Sequence, residues 1–346
     1  MWGRFMKIGR YVKKIPLLYG GYYGLKEAVY CYQKATSRPY LTVQKEGKVW
    51  RGRLPIPLRD TWLFEDRSRH CRKLCMVLAG YKPTIWDTVF GRLERTLPED
   101  VDVCVLTSGL RSEDLRQLCA QNGWSYLATK KNKVSRIQNI AIHLHPDAEY
   151  IYKLDEDIFL TEGFFDTLYA TLQTASKDSG YEIGLTAPLI PVNGYGYVRI
   201  LEKLGLTKDW ESRFGPAVIT DGIHHHTAIL DQADAARYMW GESQPVLGNI
   251  DALAATLAQA PPAYSVCPIR FSIGAILFSR KSWLDWGMFP VDWSAGMGLD
   301  EMWIARYCVT HGRVAIVSEN TLVGHLGYGP QTEDMLRYFL SGEMCV

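Results

Sequence analysis

Short apolar segments alternate with amphipathic helical segments from residue 72 onward, and this alternation limits the chain to an α/β architecture. Residues 73–79 form an apolar run that ends at Gly80, as is typical of a buried parallel strand. Further strands are predicted at 101–106, 124–127 and 150–154, and helices at 83–97, 112–121 and 134–145. Repeated β-α units of this length predict a doubly wound, mostly parallel sheet that binds ligands at the carboxyl ends of its strands.

The composition is that of an ordinary globular protein, with 47% hydrophobic and 22% charged residues among 346. A formal net charge of +2 argues against a general nucleic-acid binder, so we expect no nucleic-acid partner. The eight cysteines lack the paired spacing of a metal finger and indicate free thiols in a reducing compartment. Neither a membrane span nor a signal peptide is predicted, so we expect a cytoplasmic location.

Residues 1–60 differ from the rest of the chain, because they contain 13 Lys and Arg but only 3 Asp and Glu. In the first turns, aromatic and aliphatic residues recur at steps of three and four, with basic residues between them. Such a helix suits the surface of an anionic membrane; the alternative is a basic helix packed on its own domain. We predict a basic amphipathic extension, peripheral to the inner face of the cytoplasmic membrane, and an extended connection near Pro39, Pro55 and Pro57.

Three acidic residues, Asp155, Glu156 and Asp157, directly follow the fourth predicted strand. Because side chains alternate along an extended chain, we expect Asp155 and Asp157 to point to the same side. Two nearby carboxylates repel each other unless a cation lies between them, and oxygen ligands suit Mg²⁺ or Mn²⁺ with the phosphates of a substrate. The sequence has no P-loop, and no dinucleotide-binding glycine motif follows the first strand. A nucleoside diphosphate bound through a cation is therefore expected; the alternative is a solvated acidic turn.

Two later segments contain further candidate residues. A glycine-rich loop at 296–298 enters a predicted helix whose first turn has Asp300 and Glu301. These acids either stabilise the helix by interacting with its dipole, or one of them acts as a general base that deprotonates a hydroxyl group. His325 follows a strand predicted at 314–317. Its imidazole either completes a metal site with Asp157 or is a buried, hydrogen-bonded structural side chain.

Together these segments resemble the GT-A-fold glycosyltransferases, particularly the inverting family 2-type enzymes of bacterial surface-glycan synthesis. The resemblance is carried, in the family's order, by KLDEDIFL at 153–160, GMGLDEMWIAR at 296–306 and VGHLGYG at 323–329. It implies a GT-A domain over residues 72–330 with an acceptor-side insertion at 194–265. A C-terminal helix is predicted over 331–346.

The resemblance also implies roles for individual residues. Asp155 is implied beside the donor's ribose, and the metal ligands for Mn²⁺ or Mg²⁺ are implied to be Asp155, Asp157 and His325. The catalytic base is implied at Glu301 or Asp300, because this chain has Asp-Glu where the family usually has Glu-Asp. Donor-binding residues are implied at Ala79, Tyr81, Lys133, Arg136, Asn139, Asp155 and Glu156. Weaker acceptor-side candidates are Gly274, Trp293 and His224.

The activity implied by the resemblance is an inverting, metal-dependent transfer of a sugar from a nucleotide-sugar donor, of UDP type, to a hydroxyl group of a glycan. The basic N-terminus favours a lipid-linked glycan as the acceptor. One alternative is a sugar-1-phosphate nucleotidyltransferase, although residues 78–86 match the basic glycine-rich loop of those enzymes poorly. A second alternative is a catalytically silent module that binds glycans or membranes.

Overall fold

The computed structural model describes residues 40–45, 48–53, 62–178, 180–221, 227–290, 299–327 and 329–346. The predicted N-terminal membrane helix therefore lies outside the described residues. The strands are β1 (Tyr40–Lys45), β2 (Lys48–Arg53), β3 (Trp62–Glu65), β4 (Lys73–Leu78), β5 (Val101–Ser108), β6 (Ser125–Thr129), β7 (Tyr150–Asp155), β8 (Ile158–Phe159), β9 (Glu182–Leu189), β10 (Tyr264–Cys267), β11 (Ala275–Ser279), β12 (Arg313–Leu322) and β13 (Gly324–His325).

Helices connect these strands and cover the sheet. The α-helices are α1 (Trp86–Thr96), α2 (Glu113–Asn122), α3 (Val134–Leu144), α4 (Phe164–Asp178), α5 (Gly196–Leu204), α6 (Thr207–Phe214), α7 (Ala228–Asp231), α8 (Ala233–Met239), α9 (Ile250–Ala258), α10 (Arg280–Asp285), α11 (Leu299–Thr310) and α12 (Thr332–Leu340). Short 3-10 helices occur at Pro83–Ile85, Pro245–Leu247 and Gly329–Gln331. Among the described residues, no helix is both long and apolar enough to cross a bilayer.

A nine-stranded sheet forms the centre of the fold, with the strand order β10-β12-β9-β11-β7-β4-β5-β6-β3. Strands β6, β5, β4 and β7 are parallel neighbours, and β9 and β12 are parallel to each other. Strands β3, β10 and β11 are antiparallel to their neighbours. This arrangement confirms the predicted α/β class with a doubly wound, mostly parallel sheet.

The central strands are buried because helices pack against the sheet. Every residue of β5 and β6 is buried, which explains why these segments are apolar runs rather than alternating patterns. Helix α2 begins as its sequence predicts, since the Ser112 hydroxyl accepts a hydrogen bond from the Leu115 N–H. It ends at Gly123, whose φ of 69° lies in the left-handed region.

Some elements differ from the prediction. The β1–β2 hairpin occupies part of the segment for which the prolines predicted an extended connection. Strand β3 pairs with β6 at the edge of the main sheet, so the domain begins before the predicted boundary at residue 72. The predicted helix at 83–97 begins as a 3-10 turn and becomes α-helical only at Trp86. The difference at β3 arises because pairing with the distant strand β6, rather than local propensity, decides this edge strand.

The insertion at 194–265 is part of the same core. Its helices bury Trp210 and Trp240, and Trp283 and Trp286 are buried beyond it, so these rings stabilise the core rather than lie open to a sugar. Helix α12, within the predicted C-terminal segment, packs against α8 of the insertion. The cysteines of the described part of the chain are free thiols.

Candidate active site

The candidate site lies at one edge of the sheet, where β4 and β7 end and β11 begins. Leu78, the last residue of β4, is the register partner of Asp155, the last residue of β7. Strand β11 is antiparallel to β7, so its first residues reach the same edge, and the Asp155 N–H donates to the Gly274 carbonyl at 2.8 Å. This is the edge at which a doubly wound sheet binds its ligands.

The three acidic residues do not continue the strand. Strand β7 ends at Asp155, and Glu156 and Asp157 form a turn before β8. The alternation that predicted a shared side for Asp155 and Asp157 therefore stops after Asp155. The three side chains of Asp155, Asp157 and His325 do not form one cluster, since no group of three potential metal ligands occurs among the described residues.

Asp155 is paired instead with Lys153, its neighbour on the same face of β7. The Lys153 ammonium donates to Asp155 Oδ1 and to the Ile273 carbonyl, each at 2.7 Å. Desolvation in the cleft raises the pKa of Asp155, and Lys153 acts in the opposite direction. The role of Asp155 as a metal ligand stays a prediction, since in this arrangement its carboxylate is paired with Lys153. Its place beside Gly274 leaves the predicted contact with a donor's ribose as a proposal.

Asp157 and His325 are brought together by a small two-stranded sheet. Strand β13 pairs with β8, so that His325 is opposite Ile158, and His325 Nε2 lies 3.4 Å from Asp157 Oδ2. The ammonium of Lys82 also contacts Asp157 Oδ2. Burial acts to raise the pKa of Asp157, but His325 and Lys82 outweigh it and hold the pKa below its ordinary value. The carboxylate is thus ionised between two nitrogen groups.

This pair fits a divalent cation that is shared with a substrate. A carboxylate oxygen and an imidazole nitrogen 3.4 Å apart are suitable ligands for one ion such as Mn²⁺. Two protein ligands are sufficient when substrate phosphates supply others, as is usual for ions bound with nucleotides. Asp157 and His325 are therefore the residues that would hold Mn²⁺ or Mg²⁺.

Trp240, from the predicted insertion, positions the backbone of His325. The Trp240 indole N–H donates to the His325 carbonyl at 3.2 Å, and the ring packs on Gly324. A Cβ at position 324 would lie 2.4 Å from Trp240 Cη2, so only glycine fits between the indole and β8. No local pattern in the sequence indicates this contact, because Trp240 and His325 are 85 positions apart.

Replacing Gly324 by alanine is expected to destabilise the protein by about 1–3 kcal/mol, the usual cost of overpacking a core. The added methyl must displace Trp240 or move β13 and with it His325. Urea unfolding of Gly324→Ala measures the loss of free energy. Gly329→Ala is the matched control, since a Cβ there meets nothing within 4 Å. Equal stability of the two variants would contradict the packing argument.

Glu156 does not face a ligand but organises the loop after β4. Its carboxylate accepts hydrogen bonds from the backbone N–H groups of Gly80, Tyr81 and Lys82 and from the Trp86 indole, at 2.8–3.1 Å. The side chain is only 7% exposed. The expectation that Glu156 binds the donor is corrected, since its side chain is buried and its oxygens are engaged by the loop.

The other predicted donor residues lie on neighbouring loops. The Ala79 side chain is buried, whereas Tyr81 is 56% exposed and its hydroxyl donates to the Ser108 carbonyl at 2.6 Å. The backbone N–H of Lys133 donates to the Ser108 hydroxyl at 2.7 Å. The loops that follow β4, β5 and β6 therefore meet at Ser108, and Arg136 lies in the first turn of α3 that follows.

Asn139 is a core residue, which corrects its predicted contact with a donor. Its side chain is fully buried and hydrogen-bonds both the N–H and the carbonyl of Phe289, as well as the Trp283 indole. The amide thereby fixes the segment that leads into residues 291–298. Sequence position alone cannot distinguish this face of α3 from the face that reaches the sheet edge.

Asp300 and Glu301, in the first turn of α11, have different environments. Asp300 is buried, and its carboxylate accepts hydrogen bonds from the Gln138 amide at 2.9 Å and from the Glu301 N–H at 3.1 Å. Glu301 is paired with Arg270, with 2.9 Å between Oε1 and Nη1. Burial raises the pKa of Glu301 to about 7, with Arg270 and Lys153 acting to lower it and Asp300 to raise it further.

Of the acceptor-side candidates, Gly274 lies against Asp155. A Cβ at position 274 would be 3.6 Å from Asp155 Oδ2. Trp293 and His224 lie outside the described residues. Several residues of the site were absent from the sequence prediction, namely Lys82, Lys153, Arg270 and Trp240. Lys82 had a local signal, since it directly follows Tyr81 at the end of the first strand; the others depend on long-range contacts.

Comparison with models of protein families finds no match for this chain, and comparison with curated protein sequences finds none either. Solved structures similar to it include a mannosyltransferase, PcManGT from Pyrobaculum calidifontis, in complex with GDP-Man and Mn²⁺. That similarity has a TM-score of 0.41 and 12% identity over 75% of this chain and 58% of the other.

A second similar structure is GalNAc-T7 with UDP, GalNAc and Mn²⁺, with a TM-score of 0.42 and 11% identity over 89% of this chain and 53% of that one. A third is a mycobacterial protein, with a TM-score of 0.39 and 14% identity over 79% and 75%. This chain thus spans little more than half the length of the first two. The predicted GT-A type of fold is consistent with its strand order, and the residue roles proposed below rest on its own contacts.

Proposed function

We propose that the protein is a glycosyltransferase that moves a sugar from a nucleotide-sugar donor to a hydroxyl group of a glycan, with inversion at the anomeric carbon. One juxtaposition carries the proposal. At the ligand-binding edge of an α/β sheet, Asp157 in the turn after β7 lies beside His325 of β13. The pKa of Glu301 is raised to about 7, and Glu301 interacts electrostatically with Lys153 of β7. A cation site for a leaving diphosphate and a general base are the two parts this reaction needs.

The donor's nucleoside is proposed to lie over the loops that meet at Ser108. The exposed ring of Tyr81 is oriented by its hydrogen bond to Ser108 and offers a surface on which a base can stack. Lys133 and Arg136 add positive charge at the start of α3. The ribose is proposed beside Asp155. A UDP-type donor remains our choice, as the sequence resemblance implies.

Asp157 and His325 are proposed to hold Mn²⁺ or Mg²⁺. A bound cation supplies positive charge that stabilises the departing diphosphate. Asp157 contributes a carboxylate that stays ionised, because His325 and Lys82 keep its pKa low. Trp240 fixes the backbone of His325, so the imidazole is held in place before a ligand arrives.

Glu301 is proposed as the base rather than Asp300. The Asp300 carboxylate is engaged by Gln138 inside the protein, whereas Glu301 is paired with the guanidinium of Arg270 and accepts a backbone hydrogen bond from Ile273. Glu301 takes the proton of the acceptor hydroxyl as its oxygen bonds to the anomeric carbon. The bond from that carbon to the diphosphate breaks, and the electron pair leaves with the diphosphate oxygen. Each transfer thus inverts the anomeric configuration.

The direct test is release of nucleoside diphosphate from a panel of UDP- and GDP-sugars, with added Mn²⁺ and with EDTA. Turnover that requires the cation and an acceptor glycan is expected, and NMR of the product should show the anomer opposite to that of the donor. A sugar-1-phosphate nucleotidyltransferase would instead release pyrophosphate from a nucleoside triphosphate. A silent binding module would turn over neither substrate.

The acceptor is proposed to be a bacterial surface glycan on a lipid carrier at the inner face of the cytoplasmic membrane, because residues 1–60 combine basic and aromatic residues. Deletion of residues 1–20 is expected to reduce cosedimentation with anionic liposomes at least about tenfold, while activity on a soluble acceptor changes little. Liposomes of neutral lipid are the control. Equal cosedimentation of the full-length protein and the protein without residues 1–20 would refute the membrane proposal.

A further inference from the structure

The ammonium of Lys82 is paired with the carboxylate of Asp157, which is also a proposed ligand of the cation. It contacts Asp157 Oδ2, the same oxygen that lies 3.4 Å from His325 Nε2. The Asp157 side chain is 5% exposed, but that of Lys82 is 33% exposed. Lys82 therefore reaches Asp157 from the open side of the cleft, where a ligand must enter.

Hydrogen bonds to Glu156 fix the backbone at Lys82, whereas the Lys82 side chain is partly exposed. Glu156 accepts hydrogen bonds from three successive N–H groups, of Gly80, Tyr81 and Lys82, and from the Trp86 indole. Hydrogen bonds to a charged acceptor are worth more than neutral ones. Glu156 is thus a positioning residue, which keeps the Lys82 Cα in place beside Asp157.

The side chain of Lys82 is held less firmly than that of Lys153, the lysine next to Asp155. Lys153 is buried and donates to both Asp155 and the Ile273 carbonyl, so its ammonium is held by two hydrogen bonds inside the protein. In the described part of the chain, the Lys82 ammonium contacts the side chain of Asp157, and its unbranched stem is partly exposed. Of the two, Lys82 is the one whose ammonium can turn from a carboxylate to an incoming anion without leaving a buried group unpaired.

We propose that Lys82 binds the donor's diphosphate and stabilises it as the leaving group, and that in the donor-free protein it is held on Asp157. This inference rests on the proposed function, because it assigns Lys82 to the leaving group of that reaction. As the anomeric C–O bond breaks, the electron pair stays on the terminal phosphate oxygen. Lys82 keeps its proton and donates a charge-assisted hydrogen bond to that diphosphate.

The proposal predicts two opposite effects of one substitution, Lys82→Met. Without the ammonium, Asp157 has no competitor, so Mn²⁺ alone is expected to bind several-fold more tightly, as measured by the EPR signal of free Mn²⁺. UDP, titrated calorimetrically at saturating Mn²⁺ with GDP in parallel, is expected to bind about 10- to 100-fold more weakly, the loss of one hydrogen bond to a charged group. Lys82→Arg should restore nucleotide binding to within a few-fold.

Lys281→Met is the matched control, since it removes the same charge from a side chain that is 75% exposed. It is expected to change neither binding constant. Unchanged or weaker Mn²⁺ binding by Lys82→Met, or unchanged binding of both nucleotides, would overturn the proposal. If wild-type protein releases no nucleoside diphosphate from any donor, the proposed function fails, whereas the two binding measurements still decide the role of Lys82.

Discussion

If Glu301 is the base, as proposed, replacing it by glutamine is expected to lower the rate of sugar transfer by about 10²–10⁴-fold, the usual contribution of a general base. Glutamine preserves the size of the side chain but cannot accept the acceptor's proton. Donor binding should change little, because the proposed donor contacts lie in the loop after β4, at the start of α3, at the end of β7 and in β13, outside α11. The measurement is kcat and KM for each substrate, with circular dichroism to confirm that the variant folds.

The pH dependence of the wild-type rate gives an independent test of the same assignment. A base must be ionised to act, and the pKa of Glu301 is about 7, so kcat/KM should rise with pH and reach half of its maximum near pH 7. Arg270 lowers this pKa by pairing with Glu301, while Lys153 and Asp300 are the other charged groups that act on it. Arg270→Met should therefore move the midpoint to higher pH.

Asp300→Asn is the matched control for Glu301→Gln. The asparagine oxygen can still accept a hydrogen bond from Gln138 or from the Glu301 N–H, so the first turn of α11 is preserved. We expect less than about a tenfold loss of rate, on the scale of one neutral hydrogen bond. A larger loss in Asp300→Asn than in Glu301→Gln would reverse the assignment of the base.

The second large effect is expected for Asp157→Asn, which should reduce turnover by at least about 10³-fold, on the scale of removing an essential electrostatic group. The variant keeps the shape of the side chain but loses the charge that faces Lys82 and His325. Mn²⁺ should restore activity to EDTA-treated wild-type protein but not to this variant. If Asp157→Asn turned over as fast as the wild-type protein, the proposed role of Asp157 as a metal ligand would be wrong.

A loss of stability must be separated from a loss of chemistry in this variant. Leaving Lys82 and His325 without a carboxylate is expected to cost about 1–3 kcal/mol of unfolding free energy. Asp251→Asn provides the comparison, because it breaks the bidentate pair with the buried Arg92 in α1, at residues outside the proposed site. It should lose comparable stability in urea yet keep its activity under native conditions.

Much of the sheet could be predicted because its signals are local. Apolar runs and the turn residues between them predicted β4, β5, β6 and β7, and Ser112 predicted the start of α2. The positions of Asp157, Glu301 and His325 at the ends of predicted elements were also legible in the sequence. Asp157 and His325 come together because β13 pairs with β8 beside the end of β7, whereas Glu301 contacts Arg270.

Two predictions about side chains failed because hydrogen-bond partners distant in the sequence decide where those side chains lie. Asp155 and Asp157 were expected to share a side, but the chain turns at Glu156, which then binds the loop after β4. Asn139 was expected to face a donor, but it braces Phe289 in the core. Neither outcome is encoded by spacing, because hydrogen-bond partners more than 70 positions away decide both.

The sequence by itself determined the fold class, the order of its β-α units and the set of acids and histidine available for chemistry, since hydrophobic periodicity and turn residues act over a few positions. The tertiary structure alone decided which side chains these residues contact. Asp157 contacts Lys82 and His325, the Trp240 indole donates to the His325 carbonyl, and Glu301 pairs with Arg270. Those contacts join residues 31 to 168 positions apart in the chain. They follow from strand register and helix packing, which are properties of the assembled core rather than of any segment.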